Sequence, residues 1–237
     1  MKKKRLLIIP AKSFSKRIKN KNFKIFCGKP MIEYPYDTAV KSRLFDKIHI
    51  STESEIIKKR LSKKGIKIDF LRPKKLTKAR VGLFEVYKFV KEEFKKKGLK
   101  FDEVWALLPC TPLIDYIDLL RLKRAVEQKK LKKPIITVCK YNAPVEWAFT
   151  MNPKNKKLYP VNKIEQSRPS QSFKPSYYDV GAIAVFDYEH LNTNSKSYDG
   201  NFYGFELPPE KNVDIDDQSD LQFVEHLKKI SNLKKLK

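Results

Sequence analysis

Short apolar runs alternate along the chain with longer segments in which apolar residues recur at helical spacing. In the segment 84–97, for example, Val86, Val90 and Phe94 fall on one helical face. Strands are predicted over 6–10, 47–51, 66–70, 104–108, 135–138 and 182–186, and helices over 31–43, 54–64, 84–97, 116–129 and 219–233. This alternation is typical of right-handed βαβ units, so the predicted fold class is α/β with a mainly parallel sheet.

The region from about 142 to 178 interrupts the alternation. It contains five prolines and no long segment of helical periodicity. We predict a small inserted arm with antiparallel pairing that contacts a partner chain, and we therefore expect a homodimer. No linker composition divides the rest of the chain, so residues 1–237 are interpreted as a single domain that carries this arm.

The formal net charge of +25 raises nucleic-acid binding as a possible function. However, only nine of the 52 basic residues are Arg, which is the residue favoured for bidentate recognition of phosphates and bases. The sequence also lacks zinc-finger spacing, an RNP-like aromatic motif and a recognisable helix-turn-helix. We therefore expect a lysine-rich surface without a dedicated nucleic-acid partner.

The three cysteines, Cys27, Cys110 and Cys139, are widely spaced and odd in number. This pattern argues against a disulfide framework and against a zinc site. No apolar run approaches the roughly 20 residues of a membrane-spanning helix, and the apolar run near the N-terminus is too short for a signal-peptide core. We expect a cytoplasmic protein with no membrane partner.

The loop at 11–22 follows the first predicted strand and is rich in positive charge. It carries five cationic side chains: Lys12, Lys16, Arg17, Lys19 and Lys21. In open parallel sheets, ligands bind beyond the carboxyl ends of the strands, where such a loop would complement a polyphosphate. The loop therefore predicts a nucleotide site, and the alternative is a basic surface loop after an edge strand.

Two further segments carry polar groups that could contribute to such a site: one follows a predicted strand, and the other lies near the end of the chain. Residues 109–113 form a stiff Pro-x-x-Pro turn that presents a thiol and a hydroxyl. Asp214 and Asp216 would project to the same side of an extended segment, where two carboxylates can hold Mg²⁺ together with phosphate oxygens. The alternative is an N-cap cluster for the last helix, with Asp217 or Ser219 as the cap.

Other familiar catalytic patterns are missing from the sequence. It contains no Gly-x-Gly-x-x-Gly and no Walker-type loop. Its three histidines are isolated from one another, and Cys110 has no histidine nearby in the sequence, which argues against a cysteine nucleophile.

Taken in order, several motifs resemble those of the acylneuraminate cytidylyltransferases, the CMP-sugar synthetases that activate nonulosonic acids. The first loop, with Ser15-Lys16-Arg17-Ile18 and Lys21-Asn22, resembles the nucleotide loop of this family, and the resemblance covers nearly the whole chain. The Glu146-Trp147-Ala148 segment and Gln171 favour the pseudaminic or legionaminic type, with the pseudaminic branch preferred. The other matching motifs are Gly28 to Ile32, Ile50 to Glu53, Leu71 to Pro73, Leu108 to Leu113, Tyr177 to Ala182 and Val213 to Asp216.

The resemblance implies a Rossmann-like nucleotidyltransferase that transfers CMP from CTP to a nine-carbon keto-sugar acid of the pseudaminic, legionaminic or sialic type. It implies Mg²⁺ or Mn²⁺ as cofactor, held by Asp214 and Asp216. Lys16, Lys21 and Asp214 are the implied catalytic residues. The implied nucleotide contacts are Ala11, Lys12, Ser15, Lys16, Asn22, Arg72, Pro109 and Thr111, and the implied sugar contacts are Glu146, Arg168, Gln171 and Asp179.

The first loop also departs from the family pattern. Where the family usually has Arg-Gly-Gly-Ser or Arg-Gly-Ser-Ser, this chain has Lys12-Ser13-Phe14-Ser15. A bidentate cation is thus replaced by a point charge, and a phenyl ring stands where a bare backbone could approach phosphate. Two alternatives therefore stay open: a divergent or non-catalytic nucleotide- or sugar-binding relative, and a nucleotidyltransferase for another sugar acid or nucleotide.

Overall fold

A six-stranded sheet forms the centre of the computed structural model, which describes residues 3–15, 17–78, 80–130, 133–189, 191 and 201–234. The strand order is β10-β6-β9-β5-β1-β4. The strands of this sheet are β1 (Arg5–Pro10), β4 (Lys47–Ser51), β5 (Glu103–Leu107), β6 (Ile135–Lys140), β9 (Tyr177–Asp187) and β10 (Tyr203–Glu206).

All strands of the sheet except β9 run in the same direction. β1 pairs in parallel with β4 and β5, β10 pairs in parallel with β6, and β9 is antiparallel to both of its neighbours. The predicted α/β class with a mainly parallel sheet is therefore confirmed. The reversal of β9 follows from the inserted arm, because the chain leaves β6 and enters β9 at the same edge of the sheet.

Helices cover both faces of the sheet. They are α1 (Glu33–Ser42), α2 (Glu55–Ser62), α3 (Leu83–Lys96), α4 (Tyr116–Lys129) and α5 (Gln218–Lys234). Successive residues of β1 point to opposite faces, so Leu7 and Ile9 pack with residues of α1, α2 and α4, whereas Leu6 and Ile8 pack against α3. Among the described residues, no helix has the length and apolar character needed to cross a membrane.

The predicted strand at 66–70 is wrong. Ile66 and Ile68 of this segment are buried, but the segment forms no ladder with the sheet. Its side chains contact the edge strand β4 instead: Asp69 binds Lys47 at 2.6 Å, and Phe70 stacks on His49 with ring centroids 4.3 Å apart. Apolar patterning reports burial, and burial here comes without backbone pairing. The edge strand β10 was not predicted.

The region 142–178 contains a small antiparallel hairpin of β7 (Phe149–Met151) and β8 (Leu158–Pro160). Short 3₁₀ turns at Val145–Trp147, Glu165–Ser167 and Ser170–Ser172 fill much of the remainder. The last two residues of the region, Tyr177 and Tyr178, belong to β9. The inserted antiparallel pairing that we predicted for this region is thus present.

A third apolar cluster attaches the last helix to the first loop. Leu221 and Val224 of α5 pack with Ile18, and Ile215 and Cys110 belong to the same cluster. The cluster also includes Phe26, which belongs to the short hairpin of β2 (Ile25–Phe26) and β3 (Lys29–Pro30). The two turn residues of this hairpin, Cys27 and Gly28, both have positive φ, as a tight hairpin turn requires. The first loop and the last helix therefore meet beside the sheet.

Candidate active site

The candidate site lies at the carboxyl edge of the sheet. Because β1, β4, β5, β6 and β10 run in one direction, the segments that follow them emerge at the same edge. The antiparallel strand β9 begins there. These segments carry most of the residues that the sequence predicted for the site.

The first loop is anchored at both of its ends. The Ala11 amide donates to the Ser51 carbonyl at 2.8 Å, which continues the pairing of β1 with β4. Asn22 is buried, and its side-chain amide donates to the Lys12 carbonyl at 2.9 Å. The loop is therefore closed on itself by Asn22, a residue that the sequence predicted as a nucleotide contact.

Lys21 joins this loop to the acidic segment near the end of the chain. Its ammonium donates to the Ile215 carbonyl at 2.6 Å and to Asp216 Oδ1 at 3.0 Å. Burial opposes its charge, but the carboxylates of Asp214 and Asp216 outweigh burial and raise the pKa of Lys21 above its usual value. Lys21 is therefore a charged ammonium within a compact acidic group.

The alternatives for the acidic segment are separated by the structure. Asp217 accepts hydrogen bonds from the Ser219 and Asp220 amides at 2.8 and 3.0 Å, so it caps α5. Asp216 pairs with Arg17 at 2.7 Å as well as with Lys21. The N-cap interpretation therefore holds for Asp217, whereas Asp214 and Asp216 face the first loop.

Asp214 is the residue of this segment whose charge is least compensated. Its Oδ1 is buried and has no hydrogen-bond partner in the described part of the chain. Burial raises the pKa of Asp214 to about 6, although Lys21 acts in the opposite direction. An unpartnered buried carboxylate oxygen beside a second carboxylate fits the needs of a divalent cation.

The same residues define how a metal could be held. No group of three or more His, Cys, Asp or Glu side chains with metal-binding geometry occurs in the described residues. Mg²⁺ is commonly held by one or two protein carboxylates together with phosphate oxygens and water. Asp214 and Asp216 therefore fit Mg²⁺ that arrives with a phosphate ligand, and they do not fit a closed structural metal cage.

The turn after β5 contributes packing as well as polar groups. Thr111 is buried, and its hydroxyl donates to the Leu108 carbonyl at 2.9 Å, so it closes the turn that contains Pro109. The Cys110 carbonyl accepts the Ile215 amide at 3.0 Å, which attaches the acidic segment to this turn. Burial raises the pKa of Cys110 to about 11, so its thiol stays protonated and is not a nucleophile.

Arg72 lies beside the first loop. Its guanidinium contacts Glu53 Oε2 at 3.2 Å, and Glu53 Oε1 accepts bonds from the Ser13 amide and hydroxyl. Lys12 is exposed and Ser15 is half-buried in the loop itself, and Phe14 between them is 68% exposed. Lys16, which the sequence predicted as catalytic, lies outside the described residues.

A cleft of about 450 Å³ opens where the arm meets the sheet. Tyr141, Trp147 and Tyr178 form aromatic walls. Asn212 donates to the Tyr178 hydroxyl at 2.8 Å, which connects this cleft to the segment that carries Asp214. The cleft is therefore formed partly by the arm and is linked through Asn212 to the segment that carries Asp214 and Asp216.

Three of the four predicted sugar contacts lie in the arm, and the fourth, Asp179, lies in β9 directly after it. Glu146 lies between two cleft-lining residues, and its buried Oε2 has no hydrogen-bond partner in the portion of the chain described above. Asp179 is exposed and accepts the Gly181 amide at 2.7 Å. Arg168 pairs with Glu165 at 2.6 Å within the arm, and Gln171 is exposed there. Val145 and Trp147, the neighbours of Glu146, thus line the cleft, and Arg168 makes its ion pair within the arm.

Sequence reasoning missed Glu53, Arg17 and Asn212 as residues of this site. Glu53 and Asn212 follow strands of the sheet closely, at the edge where the other polar groups collect. The rule that ligands bind beyond the carboxyl ends of parallel strands applies equally to β4 and could have identified Glu53. Arg17 belongs to the Ser15–Ile18 motif of the basic loop, but nothing in the sequence indicated its pairing with Asp216.

A family model for cytidylyltransferases matches residues 6–236. The chain belongs to this family. The family prediction made from the motifs is therefore confirmed.

Among similar proteins, the pseudaminic acid cytidylyltransferase of Campylobacter jejuni is 29% identical over 231 residues, which cover 97% of this chain and 98% of the relative. The N-acylneuraminate cytidylyltransferase of Escherichia coli is 23% identical, and the match covers the whole of this chain and 55% of the relative. The first of these names agrees with the pseudaminic branch that the motifs favoured.

A similar fold occurs in a solved structure of a CMP:2-keto-3-deoxy-manno-octonic acid synthetase complexed with CTP. The TM-score is 0.72 at 17% identity, and the match covers 96% of this chain and 99% of the other. This likeness confirms the predicted Rossmann-like nucleotidyltransferase fold of this cytidylyltransferase-family chain.

The position of Lys21 leads to a first prediction. Lys21→Ala should weaken CTP binding by about tenfold or more, because it removes a cation that is fixed inside the site. We expect the same direction for Lys16→Ala. Lys96→Ala removes an equal charge from an exposed side chain that is paired with Glu93 on α3, so it should leave CTP affinity unchanged. Isothermal titration calorimetry measures all three, and equal losses in all of them would indicate diffuse electrostatic attraction instead.

Proposed function

We propose that this chain transfers CMP from CTP to a nonulosonic acid and releases pyrophosphate. Family membership supports the nucleotidyltransferase chemistry. The observation that carries the proposal is the close group of Lys21, Asp214 and Asp216 at the carboxyl edge of the sheet, which unites a phosphate-type cation with a pair of carboxylates. The Campylobacter jejuni relative favours pseudaminic acid as the sugar.

The reaction requires in-line attack of the anomeric hydroxyl on the α-phosphorus of CTP, with the α–β anhydride bond breaking as pyrophosphate leaves. Lys12, Lys16 and Lys21 would neutralise the phosphates, and Asn22 would keep the loop closed around them. Mg²⁺ held by Asp214 and Asp216, or Mn²⁺ in its place, would supply further positive charge at the phosphate oxygens.

The nucleotide and the sugar would occupy different parts of the same edge. We assign CTP to the first loop, with Ala11 and Ser15 in that loop and with Arg72 and the turn at Pro109 and Thr111 at its sides. The sugar acid is assigned to the cleft beside β6 and β9, whose aromatic walls suit a ring with acyl groups. Glu146 would meet the sugar there, and Arg168, Gln171 and Asp179 would contribute from the arm and from the start of β9.

A panel assay tests this function directly. The protein is incubated with CTP, Mg²⁺ and each of pseudaminic, legionaminic and sialic acid, and pyrophosphate release is measured. We expect release with at least one of them, fastest with pseudaminic acid. A folded protein that is inactive with every acid but still binds CTP would favour the alternative, a non-catalytic nucleotide-binding relative, for which the exposed Phe14 in place of glycine is the supporting observation.

The acidic pair gives a second prediction. Asp214→Asn and Asp216→Asn should each lower turnover by about 100-fold or more, because the lost charge acts in the transition state. Thermal unfolding should show that both variants remain folded. The matched control is Asp217→Ala, which removes the cap of α5 and should lower thermal stability without a comparable loss of turnover. Wild-type turnover of both Asn variants at limiting Mg²⁺ would contradict a metal role for the pair.

We further propose that the arm joins two copies of this chain into a homodimer. Its side chains present a run of exposed apolar surface that includes Met151, Leu158, Val161 and Ile164, the last being 82% exposed. Exposed apolar patches of this kind mark protein interaction sites. Because the arm also lines the cleft assigned to the sugar, contacts between two arms in the dimer would affect the cleft of each copy.

A third prediction follows from this arm. The double variant Met151→Glu and Ile164→Glu should be monomeric where the wild-type chain is dimeric, because two charges would be buried in the interface. Sedimentation-velocity ultracentrifugation measures the mass of both proteins. Ile56→Glu changes an apolar residue on α2 whose exposure lies between those of Met151 and Ile164, and it should leave the dimer intact. A monomeric wild-type chain, or a dimeric double variant, would contradict the proposal.

The three cysteines are consistent with a reducing compartment. None of Cys27, Cys110 and Cys139 is in a disulfide. We therefore infer a reducing, cytoplasmic location.

A further inference from the structure

Glu53 lies two residues beyond the end of β4 and uses both of its carboxylate oxygens. Oε1 accepts hydrogen bonds from the Ser13 amide at 2.8 Å and from the Ser13 hydroxyl at 2.5 Å. Oε2 accepts a bond from the Arg72 guanidinium at 3.2 Å. One side chain therefore connects the first loop, the end of β4 and the segment that carries Arg72.

Arg72 makes two contacts with the short segment Thr52–Glu53, one through its backbone and one through its side chain. Its amide donates to the Thr52 carbonyl at 2.9 Å, and its side chain, only 3% exposed, pairs with Glu53. The buried Nε of Arg72 has no hydrogen-bond partner within the residues that the structure describes. Arg72 thus keeps one buried donor available while its position is fixed by Thr52 and Glu53.

Glu53 is present as a carboxylate. Its side chain is 10% exposed, and burial alone would raise its pKa. The hydrogen bonds from Ser13 and the charge of Arg72 outweigh burial and lower the pKa of Glu53 below its usual value. Both of its contacts are therefore charge-assisted hydrogen bonds, which are stronger than neutral ones.

We propose that Glu53 is a positioning residue for CTP binding, which fixes the backbone of the first loop at Ser13 and the guanidinium of Arg72 relative to each other. The inference rests on the proposed function and adds a residue to it. Glu53 itself repels phosphate, so its contribution is geometric: it holds the loop that carries Lys12 in place before the nucleotide binds. A loop that is already ordered in the free protein loses less conformational entropy when CTP binds, so CTP binds more tightly.

The decisive experiment compares Glu53→Gln with the wild-type chain. Gln keeps the shape of the side chain but loses its charge, so the bonds to Ser13 and Arg72 weaken. We expect KM for CTP to rise at least about tenfold while kcat at saturating CTP stays within about threefold. The Ser13 amide proton, followed by NMR hydrogen exchange without substrate, should exchange faster. Glu55→Gln is the matched control, since Glu55 is exposed and pairs with its helix neighbour Lys58 on α2.

A second variant protects the test against a folding defect. Ser13→Ala removes the hydroxyl bond and leaves the buried Glu53–Arg72 pair intact, so it should fold normally and raise KM for CTP in the same direction by a smaller factor. If Ser13→Ala and Glu53→Gln both leave KM and the exchange of the Ser13 amide as in the wild-type chain, the inference is wrong. A fall in KM for Glu53→Gln would also overturn it, because the carboxylate would then be occupying the place of a phosphate.

Failure of the proposed function and failure of the positioning role of Glu53 give different results. Absence of pyrophosphate release from the wild-type chain with every sugar acid would count against the proposed function. In that case calorimetric CTP affinity replaces KM, and the exchange of the Ser13 amide still decides whether Glu53 orders the loop. Unchanged CTP affinity and unchanged exchange in Glu53→Gln would reject the positioning role, whichever reaction the chain catalyses.

Discussion

The contact between Lys21 and the Ile215–Asp216 segment joins two regions that lie almost 200 residues apart in the chain. One is the loop after the first strand, and the other precedes the last helix. Because Ile215 also binds the Cys110 carbonyl, the turn after β5 is included in the same arrangement. A cation from the first loop and carboxylates that precede the last helix thus lie together, an arrangement that no single segment could provide.

This contact depends on the apolar cluster beneath it. Ile18 and Ile215 are buried together with Leu221 and Val224 of α5, so the last helix carries the acidic segment to the first loop. Burial has an electrostatic consequence, because it raises the pKa of Asp214 while Asp216 is neutralised by Lys21 and Arg17. Apolar packing therefore leaves Asp214 Oδ1 buried without a hydrogen-bond partner among the described residues, beside the ion pairs of Asp216.

Much of the fold could be predicted from sequence because burial and periodicity are local properties. Strand β1 and helix α3 were found from their apolar patterns. The same reasoning failed at 66–70, because packing against an edge strand buries a segment as effectively as pairing with it. Asp217 and Asp214 could not be assigned different roles from spacing alone, since the difference lies in where α5 begins and in what covers Asp214. Glu53 escaped notice because its partners, Ser13 and Arg72, are distant in sequence.

The central claim is that residues 11–22, 109–111 and 213–216 form one CTP site. Hydrogen–deuterium exchange of the whole chain, read by peptide mass spectrometry with and without CTP and Mg²⁺, tests it most directly. The account predicts that exchange slows in all three segments together at the same CTP concentration, while the lysine-rich helix α3 is unchanged. Slower exchange in the first loop alone, or an equal effect on α3, would contradict a single site built from both ends of the chain.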